Sequence, residues 1–106
     1  MRNEAVIGGR LLKRSAIRYT PAGVPIVDFV IAHSSVQNEA GTKRKVVCDV
    51  DAVAVGEMAV SIDRVKINQS LQVKGFLARN SVGNTKLMLR VTSMEPIGSG
   101  TDQTQD

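Results

Sequence analysis

The sequence predicts an all-β fold, a five-stranded Greek-key barrel with one short helix between the third and fourth strands. Three observations carry the prediction. Five stretches read as strands, most of them alternating apolar and polar residues with a period of two, as a strand with one buried face requires. One segment, after the third of them, has helical spacing instead. The length, 106 residues, suits one domain around one core.

The first strand is Ala5 to Lys13, apolar and slightly glycine-rich. Gly8-Gly9 within it marks a bulge or a close backbone approach. Lys13-Arg14-Ser15 is a polar break, and Tyr19 to Pro25 is a turn in which Pro21 presets φ and Gly23 supplies a positive one. Ile26 to His33 is the second strand, with Val27, Phe29 and Ile31 on one face and Phe29 in the core. Ser34 to Thr42 is polar, holds Gly41, and reads as the loop of a long hairpin. Lys43 to Asp51 is the third strand. Arg44, Val46, Cys48 and Val50 share its core face, and Lys43, Lys45, Val47 and Asp49 share the other.

Between Ala52 and Lys66 the apolar residues Val55, Ala59, Ile62 and Val65 follow a helical spacing. A short helix is expected over Glu57 to Val65, started by Gly56, with Glu57 in the first turn where the helix dipole favours an acid. Asn68-Gln69-Ser70 turns the chain into the fourth strand, Leu71 to Ala78, with Leu71, Val73, Gly75 and Leu77 inward and Gln72, Lys74 and Phe76 outward. Arg79 to Thr85 reads as a polar loop. Lys86 to Met94 is the fifth strand, with Leu87, Leu89 and Val91 opposed to Lys86, Met88 and Arg90, and Pro96 ends it. The domain thus covers residues 1–97, and Gly98 to Asp106 is a flexible polar tail. Strand, strand, strand, helix, strand, strand is the order of an OB-fold.

Composition narrows the function classes. Hydrophobic residues make up 42% and charged residues 23%, ordinary values for a globular protein, and no apolar run approaches the length of a membrane helix. Met1 to Glu4 is polar and is not followed by the apolar stretch and small-residue cleavage site of a signal peptide, so a cytoplasmic protein is expected. The lone Cys48 permits no internal disulfide and reads as a small buried hydrophobe. Net charge is +4, and without Gly98 to Asp106, which holds Asp102 and Asp106 and no base, the body has 14 basic and 8 acidic residues. Such a body attracts a polyanion at long range.

Catalytic constellations are missing. One histidine and one cysteine do not make a four-ligand zinc site, and no Gly-Lys-Ser/Thr phosphate loop is present. Asp49 and Asp51 share a strand face, where isolated surface acids are far commoner than a two-metal centre. His33 reads as a hydrogen-bonded hairpin residue. No enzyme activity, metal or cofactor is expected.

Binders of single strands combine a basic groove with aromatic platforms. The basic half is present: Lys43, Arg44 and Lys45 enter the third strand, Arg79 and Lys86 bracket the loop between the fourth and fifth, and Arg18 lies between the first and second. The plainer alternative is that these are solvated loop charges, with strand-edge lysines guarding against aggregation. The aromatic half is thin. Of Tyr19, Phe29 and Phe76, only Phe76 is expected outward on a strand beside a lysine.

Several stretches resemble the primosomal replication protein N (PriB) family. They are Thr20-Pro21-Ala22-Gly23-Val24-Pro25 followed by Asp28-Phe29-Val30, His33 to Gly41 leading into Lys43-Arg44-Lys45 and Cys48, and Val73-Lys74-Gly75-Phe76-Leu77. With Asn3 to Leu12 they cover most of residues 3–97 in order, and Ala54 to Leu77 also resembles the wider group of bacterial single-stranded DNA-binding proteins. The resemblance implies a homodimeric OB-fold protein, paired through Asn3 to Leu12, that binds single-stranded DNA. Its implied role is to assist the PriA helicase, with other primosome proteins, in restarting stalled replication forks. Family members can carry an exposed aromatic near Val47, so the implied site includes Val47, where this chain offers a smaller side chain and weaker, strongly salt-dependent binding is expected. Two alternatives stay open. A general coating protein would carry a long tail with an acidic, apolar tip, which Thr104-Gln105-Asp106 does not form. An OB-fold adaptor that has lost DNA binding would explain the missing aromatic.

Overall fold

A computed structural model describes Met1 to Ile97, and the tail expected over Gly98 to Asp106 lies outside the described residues. The elements are β1 (Ala5–Arg14), β2 (Arg18–Tyr19), β3 (Pro25–Glu39), β4 (Thr42–Val55), α1 (Glu57–Asp63), β5 (Ser70–Ser81) and β6 (Asn84–Pro96). The sheet order is β1-β5-β6-β4-β3-β2, and β1 also pairs with β3, which closes a five-stranded barrel with β2 as a two-residue addition at the edge of β3. Helix α1 sits between the third and fourth barrel strands in chain order. This is the OB-fold the strand order predicts.

β1 makes the closure. Its first half, Ala5 to Arg10, pairs with β5, and from Arg10 to Arg14 it pairs with β3. One strand serves two neighbours because it turns sharply through a bulge at Leu12, which has no partner between Leu11↔Ile31 and Lys13↔Val30. Of the two readings of Gly8-Gly9, a bulge or a close backbone approach, the structure bears out the second: a Cβ on Gly9 would lie 2.3 Å from the Ala32 carbonyl oxygen, while the bulge lies three residues on. A second bulge, at Thr92 of β6, coils the β5–β6 pair where Gly75 crosses Arg90.

The core is Leu11, Val27, Phe29, Ile31, Ala52, Ala54, Leu71, Val73, Leu89 and Val91 from the strands, closed by Ala59, Ile62 and Val65 from the helical segment. Phe29 is 2% exposed, as its position on the second predicted strand requires. α1 has no side-chain cap at Gly56, whose N–H donates to the Pro25 carbonyl instead. Its other end is capped from a distance. The Arg14 guanidinium donates to the carbonyls of Ile62 and Val65 and lies 3.8 Å from Asp63, so a cation stands at the helix C-terminus, where the dipole favours positive charge.

The hairpins are longer than the sequence suggests. The stretch expected as a loop, Ser34 to Thr42, is strand as far as Glu39, and the connection is the two-residue turn Ala40-Gly41 with φ of 52° and 79°. Two positive φ values match the right-handed twist of the flanking strands. Likewise the expected loop Arg79 to Thr85 is mostly ladder, turning at Val82-Gly83. In both cases polar strand residues look like loop because neither face is buried.

That geometry also overturns part of the expected core. β3 and β4 pair through 14 rungs, yet β1 reaches only Phe29 to Ala32 and β6 only Ala52 and Val53. Beyond His33↔Cys48 the hairpin is an arm without neighbouring strands among the described residues, and the longest extent is 49 Å. Cys48 and Arg44 are therefore exposed and Val46 half-buried, although all three lie on the face that is core lower down. Leu77 and Leu87 are exposed for the same reason on the β5–β6 arm, past the last β1 rung at Gly75.

Residues before β1 extend its grip. The Asn3 side-chain amide donates to the Leu77 carbonyl at 2.8 Å and accepts from the Leu77 N–H at 3.0 Å, so it stands in for a backbone rung. Glu4 bonds Arg2 at 2.9 Å and Lys74 at 3.2 Å. Arg2 first and Lys74 second hold the Glu4 carboxyl below its ordinary range, so the contact is complete at neutral pH and is lost only as pH falls through that lowered value.

Candidate nucleic-acid interface

Alternation along the ladders fixes which side chains share the outer face of the barrel. Directly opposed residues lie on one face, so rows can be followed across strands. The lowest row is Asp28, Val53, Arg90 and Phe76. Val30 and Asp51 form the next, with Met88 and Ala78 opposed on the adjoining strands. Above them come Ala32 with Asp49, Ser34 with Val47, Val36 with Lys45, and Asn38 with Lys43 on the arm.

Two grooves open on this surface, on either side of the short parallel pairing of β4 and β6. One, of about 320 Å³, has Lys13, Asp28, Val30, Asp51 and Met88 among its lining residues. The other, of about 440 Å³, lies between β4, the start of α1 and β6, with Val53, Val55, Met58, Phe76 and Arg90 around it. Phe76 is 39% exposed there, directly opposite Arg90, so part of this aromatic side chain is accessible beside a guanidinium.

The residues singled out in the sequence divide into two sets. Lys43, Lys45, Val47, Phe76 and Lys86 stand on the outer face, and Arg18 reaches it from β2 by an ion pair to Asp28. Val47 is 70% exposed, and Val36, one rung pair further along the same face, is exposed as well. Arg44 and Arg79 lie on the opposite face of their arms. Arg44 pairs with Glu39 at 3.6 Å, and Arg79 donates to the Val82 carbonyl at 3.2 Å within its own hairpin. The structure does not bring these two to the same surface as the others.

The loop bases are less free than the sequence suggests. Lys86 sits 3.0 Å from Asp51, and Arg18 is bonded to Asp28. Lys43 and Lys45 have no carboxylate within ion-pair distance among the described residues. Arg90, Met88 and Lys13 belong to the face and were not singled out as site residues. Arg90 was legible, since it alternates with Lys86 and Met88. Lys13 was not, because its place depends on the Leu12 bulge.

His33 is a structural residue, as expected. Its ring nitrogens lie 2.6 Å from the Gly8 carbonyl oxygen and 2.7 Å from the Ser35 hydroxyl, tying β1 to the base of the arm. Asp49 and Asp51 share a face, and no group of acids, histidine and cysteine that could hold a metal occurs among the described residues.

Comparison with known proteins agrees with this architecture. Residues 3–93 match the model of a family described as "another single-strand binding protein family". The replication restart protein PriB of Nitrosomonas europaea is 34% identical over 90 residues, covering 85% of this chain and 83% of that protein. PriB of Proteus mirabilis is 33% identical over 101 residues, covering 92% and 96%. Among solved structures, PriB of Ralstonia solanacearum superposes with a TM-score of 0.84 at 34% identity, over 91% of this chain and 98% of that one. The single-stranded DNA binding protein of Thermus aquaticus shares the fold, with a TM-score of 0.75 at 24% identity over 93% of this chain and 52% of its own. Matched along nearly its whole described length in sequence and in fold, this chain belongs to the replication restart protein PriB family, within the single-strand binding group.

Proposed function

We propose that this protein binds single-stranded DNA on the outer face of β3, β4 and β6 and acts as a replication restart protein beside the PriA helicase and other primosome proteins in the bacterial cytoplasm. It works by binding, without catalysis and without a cofactor. The observation that carries the reading is the arm: Lys43, Lys45 and the exposed Val47 share one face of a hairpin that no other strand among the described residues covers. Lysines so placed contact phosphates, and Val47, Met88 and Phe76 offer apolar surface to bases. Lys86 and Arg18 flank the same face. The domain is residues 1–97, and Gly98 to Asp106 is proposed as a polar tail.

Fluorescence anisotropy with labelled oligothymidine, against duplex of equal length at two salt concentrations, tests the reading. Micromolar or tighter single-strand binding that exceeds duplex binding and weakens steeply with salt is the expected result. No binding at low salt would favour a protein-interaction adaptor instead. That second reading has one specific observation behind it, the absence of an aromatic at Val47.

The protein is proposed to be a homodimer through β1. Among the described residues, Ala5 to Gly9 has a ladder only on its β5 side, and on the other the His33 ring hydrogen-bonds the Gly8 carbonyl oxygen. An open edge of that kind pairs readily with a second copy. Light scattering should give about twice the 11.4 kDa chain mass. A monomer mass at micromolar concentration would contradict it.

A further inference from the structure

Most of the net positive charge of residues 1–97 is gathered at one corner of the barrel. These residues hold 14 bases and 8 acids, and the two short segments Arg10 to Arg14 and Asp63 to Lys66 hold five of the bases and one of the acids. Four of the six net positive charges therefore arise in nine residues. The fold brings the two segments together at the end of α1. The Leu11 N–H donates to the Gln69 carbonyl at 3.0 Å, and the Asn68 N–H donates to the Leu11 carbonyl at 2.7 Å. The Arg10 guanidinium donates to the Asn68 side-chain oxygen at 3.0 Å, and Arg14 donates to the carbonyls of Ile62 and Val65. Arg14 thereby serves the helix end, and it lies near Asp63. Arg10, Lys13, Arg64 and Lys66 are exposed, and none has a carboxylate within ion-pair distance among the described residues. Like charges gathered in this way repel one another, and an anion from outside relieves that repulsion.

We propose that Arg10, Lys13, Arg64 and Lys66 form a second phosphate-binding patch, which holds a single strand after it has crossed the outer face and passed over β1. The patch extends the DNA-binding reading above and rests on it. Arg10 and Lys13 carry the connection. They pair with Ala32 and Val30 across the β1–β3 ladder, so they continue the rows of Asp49 and Asp51 on the outer face. Lys13 and Arg14 are also among the residues that line the groove holding Val30 and Met88. A strand with its bases against those apolar side chains meets cations where its backbone leaves the groove. Arg64 and Lys66 lie next beyond them, in the turn that follows α1. The same continuity favours nucleic acid over an acidic protein as the ligand, because the patch runs into the face without a break. A single strand bends freely enough to follow the barrel from face to corner, whereas a duplex, stiff over about 150 base pairs, does not. Phosphate contacts carry no sequence information, so the patch adds affinity and salt dependence without adding base preference.

The test is Arg64→Gln combined with Lys66→Gln, at two residues outside the strands of the face. Anisotropy with labelled oligothymidine of about 20 nucleotides, longer than the roughly 4–16 that one OB-fold occupies, gives the slope of log affinity against log salt. The slope should flatten by between about 0.7 and 1.4 units, the loss of one or two phosphate contacts to a single strand. Arg44→Gln combined with Arg79→Gln removes the same net charge from the other side of the arms and should leave the slope near wild type. Thermal melts establish that each variant is folded. Should Arg64, which ends α1, be needed for folding, Lys66→Gln alone carries the test, with a flattening of about 0.7 units. An unchanged slope in the corner variant overturns the proposal and leaves the patch to an acidic protein surface. Equal flattening in both double variants marks a net-charge effect and overturns it as well. If the wild type binds no single strand at low salt, the DNA-binding reading fails and the patch with it.

Discussion

Gly75→Ala is expected to prevent stable folding or to lower the melting temperature by on the order of 15 °C, which corresponds to about 3 kcal/mol in a domain of this size. An alanine Cβ at this position would sit 1.9 Å from the Arg90 carbonyl oxygen and 2.8 Å from its carbon. Both are backbone atoms beside the Thr92 bulge, so relief requires β5 and β6 to separate where the barrel coils. That loss is a large share of the total stability of about 5–15 kcal/mol typical of such domains. Gly8→Ala is the matched comparison. Its new methyl would meet nothing closer than the end of the Ile97 side chain at 3.8 Å, so the melt should shift by only a degree or two. Equal melting curves for the two variants would contradict the close packing at Gly75.

Lys43→Ala combined with Lys45→Ala is expected to give the largest functional loss. Both lysines stand on the outer face of the arm with no carboxylate within ion-pair distance among the described residues, so both are available to phosphate. Removing two phosphate contacts to a single strand should flatten the dependence of log affinity on log salt by about one to two units. At low salt the affinity itself should fall at least tenfold, while the melt stays close to wild type because the arm contributes little to the core. Lys86→Ala should do less, since Asp51 already occupies that ammonium. An unchanged salt slope in the double variant would remove the arm from the binding surface. Arg44→Ala serves as an internal contrast, because Arg44 stands on the other side of the same strand and pairs with Glu39.

Much of this fold was legible in the sequence, for identifiable reasons. Val27, Phe29 and Ile31, like Leu71 and Val73, alternate inside the barrel, and alternation reports burial on one face. The helix start at Gly56 and the apolar spacing of Ala59, Ile62 and Val65 survived because the helix packs one side on the core. The errors sit where that link breaks. Residues Ser34 to Glu39 are strand without a buried face, so their polarity reads as loop. Cys48 and Leu77 have the right parity for the core but lie beyond the reach of β1.

The candidate face was half legible. Parity alone places Lys43, Lys45, Val47, Phe76 and Lys86 together. The ion pairs of Lys86 with Asp51 and of Arg18 with Asp28 join residues distant in sequence or on different strands, and no local pattern announces them. Arg14 is the same kind of case. Between two polar neighbours it reads as part of a break, whereas in the fold it reaches across to the last carbonyls of α1.

The double engagement of β1 has a consequence for biosynthesis. Its first rung joins Ala5 to Gly75, residues that leave the ribosome far apart in time. The β3–β4 hairpin, joined by a tight turn, can zip as soon as it emerges, because its contacts are local. The second half of the N-terminal strand can pair as soon as β3 appears, whereas its first half, Ala5 to Gly9, waits for β5. Until then the nascent chain carries a short apolar stretch with no ladder, and that interval is when it most needs protection from other chains.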